Sequence, residues 1–254
     1  MGEAGFGLRV MGAGLDVADG FGLWQKTAGF KMIEGLPMPD FAARRVMMVD
    51  NQIRPSDVTK YPVIAAMLAV PREDHVPAAQ REAAYMGENL SLGGGRVLLE
   101  PRTFAKMLDA LDIQKDELVL DLAAGTGYGA AVLAQMAQAV VALESDGELA
   151  ALAQKALTAN GVTTVAVVEG ALAAGAGKHA PYDVILIEGG VEELPADIVA
   201  QLATDGRIAC LFMEGRLGTV RIGTRSGDGI VWRDAFNATA PVLPGFERRK
   251  EFAL

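Results

Sequence analysis

Two acidic residues and two glycines near the middle of the chain could form a nucleotide-binding turn. The segment Val119–Tyr128 reads VLDLAAGTGY, in which an apolar run ends in Asp121 and is followed by Gly125 and Gly127. Glycines at such a turn allow the backbone to approach a nucleotide closely. Glu144 ends the next apolar run, where its carboxylate can accept both hydroxyl protons of a ribose. These residues together predict a nucleoside site.

The chemistry of this site favours S-adenosylmethionine over a dinucleotide. Two acids suit a ligand that has a cationic amino group and a sulfonium but no pyrophosphate, and the third glycine of G-x-G-x-x-G is absent. The alternative is that the glycines only form a turn and that Glu144 is a solvated loop acid. The ordered set of strand, acid, glycine turn, helix, strand and acid favours the cofactor site.

Alternating strands and helices from residue 117 onwards would position these side chains. Short, nearly all-apolar runs predict strands that are covered on both faces, and helical segments separate most of them. The pattern predicts an α/β fold with a doubly wound, mainly parallel sheet and an antiparallel edge after Gly215. The predicted strands are Leu118–Leu122, Ala139–Leu143, Val165–Val168, Val184–Ile187, Ile208–Phe212, Thr219–Thr224 and Ile230–Trp232, and the predicted helices are Tyr128–Ala137, Gly147–Ala159 and Pro195–Leu202.

The part of the chain before the sheet divides into two zones. Residues 1–37 are rich in glycine and lack apolar periodicity, which predicts a flexible N-terminal extension. Residues 38–254 are predicted to form one domain, in which residues 38–112 supply a helical N-terminal part and residues 117–254 supply the sheet. Helices are expected from Asp40 to before Pro55, over Thr59–Ala69 and around Phe104–Leu111. The glycine-rich stretch Tyr85–Pro101 is predicted to be a loop.

Composition excludes several classes of partner and site. The net charge of −9 argues against binding to duplex nucleic acid, which needs a basic face. A single cysteine, Cys210, fits a reducing compartment and lies in an apolar run, so a core thiol is expected. The two histidines lack partners at metal-ligand spacing, and no apolar run is long enough to span a bilayer. No signal peptide is evident, so a cytoplasmic protein without membrane or metal is predicted.

At this point the chain resembles the protein-L-isoaspartate O-methyltransferase family. The likeness includes the glycine turn, the helix residues MVDNQ at 48–52, the MLAVPR segment that ends at Arg72 and the pair Ala84-Tyr85. It also includes APYD at 180–183 and QLATDGR at 201–207, each placed before a strand as in that family. The resemblance implies a Rossmann-like fold that binds S-adenosylmethionine and carries an N-terminal helical extension.

The chain departs from the family pattern at the substrate loop, which makes it a divergent member. The family loop G-x-G-Q-T-I-S-Q-P is matched here by GGGRVLLEP at 93–101. Leu99 therefore occupies the position of the family's serine, Val97 replaces the other hydroxyl residue, and Arg96 replaces a glutamine. The family's Gly-Asp pair after the third strand, whose acid reaches the adenine amine of the cofactor, appears as Gly170 and Ala171, and Ala123 stands at the first glycine of the motif.

The resemblance implies methyl esterification of isoaspartyl carboxylates in damaged proteins, with a protein or peptide carboxylate as the acceptor, and the altered loop implies weak activity. Arg96 is a catalytic candidate that could pair with the substrate carboxylate, or it is a solvated loop arginine. Glu188, which ends the fourth strand, could orient an amine, or it is hydrogen-bonded to nearby backbone amides. The alternative function is a paralogue that binds the cofactor but has a different substrate or a non-catalytic regulatory role.

Overall fold

The structure is a computed structural model that describes residues 40–227 and 229–248. The extension predicted over residues 1–37 lies outside the described residues.

A seven-stranded sheet with the strand order β5-β4-β3-β6-β7-β8-β9 forms the centre of the domain. The strands β3 to β7 run parallel, whereas β8 and β9 add antiparallel edge pairs. The predicted doubly wound fold and its antiparallel edge are therefore confirmed. The strand bounds are β3 Leu118–Leu122, β4 Ala139–Glu144, β5 Val165–Glu169, β6 Tyr182–Val191, β7 Leu202–Glu214, β8 Leu217–Ser226 and β9 Gly229–Ala238.

Helices connect most of the parallel strands. The helix α4 covers Tyr128–Leu133, α5 covers Gly147–Ala159 and α6 covers Ala196–Ala200. The Asp146 side chain caps α5 by accepting from the backbone N–H groups of Glu148 and Leu149. The α4 helix is shorter than predicted because its last turn loosens after Leu133, and α6 is also shorter than predicted.

Three helices before the sheet pack against one of its faces. They are α1 (Phe41–Met48), α2 (Tyr61–Ala69) and α3 (Pro101–Leu111), and a π-helical turn over Val49–Ile53 extends α1. The apolar side of α3 carries Phe104, Met107, Leu108 and Leu111, and all four are buried in the larger core cluster. The predicted apolar face of this helix is confirmed.

The segment Tyr85–Pro101 was predicted to be a loop, and this prediction was wrong for part of it. Strands β1 (Leu90–Gly93) and β2 (Arg96–Leu98) pair antiparallel within it and form a hairpin. Gly93, Gly94 and Gly95 all adopt positive φ angles of 92°, 55° and 76°. Glycines with positive φ suit a tight hairpin turn, so they serve here to reverse the chain.

Within residues 40–227 and 229–248, the structure has no helix that is both long and apolar enough to cross a bilayer.

Candidate functional site

The site lies where the strand order of the sheet reverses, between β3 and β6. Open α/β sheets bind ligands beyond the carboxyl ends of their strands at this point. The turn after β3 takes left-handed backbone conformations, with φ angles of 54° at Gly125 and 80° at Gly127. Ala123 also has a positive φ, of 66°, in a region that favours glycine. The turn is tied to β4 because the N–H of Ala123 donates to Leu143 O at 2.9 Å.

Two carboxyl groups meet under the first turn of α4. Asp121 ends β3 and Glu188 lies in β6, and both side chains are buried. Three of their oxygens have no hydrogen-bond partner within the described part of the chain: both carboxyl oxygens of Asp121 and the Oε1 of Glu188. Burial, reinforced by the Glu144 charge, raises the pKa of Asp121 to about 7. Burial and the neighbouring Asp121 raise the pKa of Glu188 well above its ordinary value.

Glu144 ends β4 beside the same turn, as predicted, but its carboxylate is turned towards protein donors. Its Oε2 accepts from Gly125 N at 2.9 Å, and its Oε1 accepts from Ser145 N at 2.7 Å and Asp146 N at 3.0 Å. The side chain is fully buried. The alternative interpretation of Glu144 as a solvated loop acid is therefore wrong.

Arg96 supplies the remaining partner of Glu144. Its Nε lies 3.1 Å from Glu144 Oε1 and 3.3 Å from Oε2, and its Nη2 donates to Ser145 Oγ at 2.6 Å. The arginine is only 4% exposed, so the interpretation as a solvated loop arginine is wrong. In this structure the guanidinium binds Glu144 rather than facing solvent, and the pairing of Arg96 with a substrate carboxylate stays a prediction.

The two loop positions that lack the family's hydroxyl groups have different surroundings. Leu99 is fully buried within the core, and its backbone carbonyl accepts from Arg72 Nη2 at 2.7 Å. Val97 is only partly buried and packs against that core. Leu99 is thus a packing residue here, whereas Val97 is the more accessible of the two positions.

The residues predicted to flank the adenine contribute little polar chemistry. Gly170 follows β5, and its N–H donates to Glu144 O at 3.0 Å. Ala171 is exposed and its side chain cannot form a hydrogen bond. Ala171 therefore cannot make the adenine contact that the resemblance implies for an acid at this position.

Sequence reasoning gave no role to Arg72, although the segment that contains it was part of the resemblance. This fully buried arginine donates from Nε to Ala84 O and from Nη2 to Leu99 O, both at 2.7 Å. Its guanidinium lies 4.8 Å from the ring centroid of Tyr128 at the start of α4. Arg72 therefore contacts both ends of the segment that contains the hairpin, at Ala84 and Leu99, and also packs on α4 at Tyr128. The Val-Pro-Arg motif was the sequence feature that could have indicated this role.

Metal-ligating side chains and the cysteine thiol show no further site in residues 40–227 and 229–248. No three metal-ligating side chains come together in that part of the chain. Cys210 is fully buried, as predicted, and burial raises the pKa of its thiol, so it remains uncharged at neutral pH.

The buried acids fit a cationic cofactor. Asp121 and Glu188 offer carboxyl oxygens that lack donors in the described residues, which matches the amino group and sulfonium of S-adenosylmethionine. The left-handed glycines supply a backbone that a ligand can approach closely, and Glu144 ends β4 beside this turn. The fold and the site together define a Rossmann-like, S-adenosylmethionine-dependent methyltransferase.

Comparison with known proteins identifies the family within this class. The family model of protein-L-isoaspartate(D-aspartate) O-methyltransferase matches residues 43–235. Protein-L-isoaspartate O-methyltransferase 1 of Rhodopseudomonas palustris is 42% identical over 168 residues, which are 66% of this chain and 69% of that protein. The Koribacter versatilis enzyme is 37% identical over 66% of this chain and 76% of its own length. The chain belongs to the protein-L-isoaspartate O-methyltransferase family.

Solved structures support the same fold. A protein-L-isoaspartate O-methyltransferase structure aligns with a TM-score of 0.68 at 21% identity, over 81% of this chain and 66% of that chain. A Plasmodium falciparum structure described by the same enzyme name, in complex with S-adenosyl-L-homocysteine, aligns with a TM-score of 0.68 at 17% identity. It covers 79% of this chain and 97% of that chain. At these identities the likeness establishes the fold.

Proposed function

We propose that this chain transfers the methyl group of S-adenosylmethionine to a carboxylate of a protein or peptide, with isoaspartyl residues as the acceptors and protein repair in the cytoplasm as the role. The observation that carries the proposal is that Asp121 and Glu144 are both buried beside the glycine turn, within the residues that match the family. The altered hairpin supports a low rate of transfer rather than another reaction.

The proposed reaction needs no general base. A carboxylate acceptor is already ionised at neutral pH, and the cofactor supplies a methyl group that is activated on a sulfonium. The protein then contributes alignment of the two reactants and exclusion of water. Asp121 and Glu188 would hold the cationic end of the cofactor, and Glu144 would hold its ribose.

The raised pKa values of Asp121 and Glu188 suit an anionic acceptor. Two ionised carboxylates beside the reacting centre would repel an incoming carboxylate, whereas the raised pKa values of this buried pair disfavour ionisation of both acids. The pair would therefore keep its attraction for the cationic cofactor and reduce its repulsion of the acceptor.

A groove beside the hairpin segment is suited to a peptide. Its volume is about 850 Å³, and it lies near the carboxyl end of β7, with Glu100, Phe212 and Arg216 among its lining residues. Asn89 ties this region together, because its Nδ2 donates to Thr239 O and its Oδ1 accepts from Glu100 N, both at 2.7 Å. The mixture of apolar, acidic and basic groups favours a polypeptide acceptor over a small apolar molecule.

The proposal is tested by transfer of isotope-labelled methyl from the cofactor to isoaspartyl peptides. Label in the isoaspartyl peptide but not in its aspartyl isomer supports it. Cofactor binding without transfer to any protein or peptide carboxylate would instead support the non-catalytic alternative.

A further inference from the structure

The buried ion pair between Arg96 and Glu144 joins the hairpin to the cofactor crevice. The arginine begins β2, and the glutamate ends β4 in the central sheet. Their side chains are 4% and 0% exposed, and the Nε–Oε1 distance is 3.1 Å. A second hydrogen bond, from Arg96 Nη2 to Ser145 Oγ at 2.6 Å, fixes the guanidinium in the same place.

This pair uses the acceptor capacity that a ribose would need. The Oε1 of Glu144 already accepts from two backbone N–H groups, those of Ser145 and Asp146, in addition to Arg96. Its Oε2 accepts from Gly125 N. Because a carboxylate offers about four acceptor positions, the three backbone N–H groups leave one, and Arg96 fills it. A ribose hydroxyl can therefore bind this glutamate only after Arg96 leaves.

The rest of the hairpin covers the same surface. A methyl group placed on Gly125 would lie 2.7 Å from Leu92 Cδ1, which shows that Leu92 rests directly on the glycine turn. At the hairpin tip, the corresponding position on Gly94 is 3.8 Å from Asp146 Oδ2. The apolar contact of Leu92 and the Arg96–Glu144 ion pair therefore both hold the hairpin over the crevice.

The contacts of Arg96 are suited to its release from Glu144. Within the described residues, Arg96 Nη1 is buried without a hydrogen-bond partner, and an unsatisfied buried donor carries a cost. A buried ion pair also gains little over its desolvation penalty. Ligand groups that replace the arginine at Glu144 can therefore release it at a modest cost in free energy.

We propose that the β1–β2 hairpin closes the cofactor crevice of the free protein, and that Arg96 is the latch, which must leave Glu144 before the cofactor ribose can bind. This inference rests on the proposed function, because that function places a ribose at Glu144. It predicts that cofactor binding and opening of the hairpin are one coupled step.

The first test measures S-adenosyl-L-homocysteine binding by calorimetry. Arg96→Gln should bind about tenfold more tightly than wild type, because the ligand no longer displaces a charge-assisted pair. Ser145→Ala, which removes only the neutral contact, should tighten binding by a smaller factor. Arg102→Gln is the matched control: this arginine is 42% exposed and 3.9 Å from Glu100, so affinity should not change.

The second test measures amide hydrogen exchange in the wild-type protein, so that it does not depend on a variant that folds. Addition of S-adenosyl-L-homocysteine should slow exchange at the glycine turn and accelerate it over residues 90–98. Slower exchange over the hairpin, together with equal or weaker binding by Arg96→Gln, would overturn the latch and leave the proposed function intact. Absence of binding to both wild type and Arg96→Gln would overturn the proposed function and the latch together.

Discussion

The carboxyl groups of Asp121 and Glu188 face each other across the first turn of α4, at Gly129. A methyl group built on this glycine would lie 1.7 Å from Glu188 Oε1 and 3.3 Å from Asp121 Oδ2. Both acids are buried, and burial is the main cause of their raised pKa values. Because only a residue without a side chain leaves room for the pair, Gly129 and the two acids form one structural unit.

This pair makes stability depend on pH in an unusual direction. The pKa of Asp121 rises from 3.8 to about 7 on folding, and that of Glu188 rises from 4.5. The folded protein therefore holds protons that the unfolded chain releases, so this contribution to stability is lost as pH rises from about 4 towards 7. Glu188→Gln should remove much of that loss, because a neutral amide can donate to Asp121.

Thermal melting of wild type and Glu188→Gln across pH 5 to 8 checks this prediction. The variant should melt roughly 3 °C or more above wild type at pH 8, and the difference should shrink towards pH 5. A difference that is constant with pH, or that grows as pH falls, would show that the pair does not titrate in this way.

The contact at Gly129 predicts a strong coupling between two substitutions. Gly129→Ala should destabilise the wild-type protein by about 1–3 kcal/mol, because the new methyl group collides with Glu188. In a Glu188→Ala background the same change should be neutral or stabilise by up to about 1 kcal/mol, since alanine is the better helix former. Denaturant unfolding of the four proteins in a double-mutant cycle measures the coupling, and additive effects would contradict the geometry.

The loop positions should respond differently to restored hydroxyls. Leu99→Ser should destabilise by about 3 kcal/mol, because it leaves a cavity and a buried hydroxyl in the core. Val97→Thr at the partly buried neighbouring position should cost less than about 1.5 kcal/mol. We expect Val97→Thr to raise methyl transfer to isoaspartyl peptides, measured per folded molecule. Equal unfolding free energies for the two variants would show that Leu99 is not packed as described.

Arg72 is expected to hold the hairpin segment in place. Arg72→Lys keeps the charge but cannot reach both Ala84 O and Leu99 O, so it should destabilise by about 2 kcal/mol. Arg54→Lys is the matched control, since Arg54 is 53% exposed in an i,i+4 pair with Asp50 and should change stability by less than about 0.5 kcal/mol. Equal losses of unfolding free energy for the two variants, measured in urea, would show that Arg72 does not hold the hairpin segment.

The order of the sheet could be predicted from the sequence because buried parallel strands leave local apolar runs. The helix α5 is also predictable at both ends, since the Asp146 cap and an apolar periodicity lie within the segment itself. The β1–β2 hairpin was missed because a glycine-rich sequence is compatible with an open loop as well as with a tight turn. The Arg96–Glu144 pair could not be predicted, because it joins residues that are distant in the chain and depends on the hairpin.

The burial of Leu99 also could not be predicted, because it depends on contacts with residues distant in the chain. In the sequence it appears as one apolar residue in a loop that usually carries a serine, which suggested a defect in substrate contact. Its burial comes from the way the segment between Arg72 and α3 folds back onto the core. Local sequence shows that the hydroxyl is missing, but only the fold shows that the position is internal.

The rate of methyl transfer to isoaspartyl peptides measures the effect of the altered loop, because the fold is that of the family. The resemblance implies that the serine hydroxyl of the family's loop aims the acceptor carboxylate, and loss of one positioning hydrogen bond costs on the order of a hundredfold in other enzymes. We therefore expect isoaspartyl turnover at least about a hundredfold below that of a family member with both hydroxyls. Parallel assays with one peptide measure the ratio, and equal rates would show that the hydroxyls are dispensable.

The most direct measurement of the proposed function uses S-adenosylmethionine that is labelled in its methyl group, with two synthetic peptides that differ only in an isoaspartyl or an aspartyl linkage. The account predicts slow, enzyme-dependent formation of a base-labile methyl ester on the isoaspartyl peptide and none on the aspartyl peptide. Equal labelling of the two peptides, or no labelling of either under conditions in which S-adenosyl-L-homocysteine binds, would contradict it.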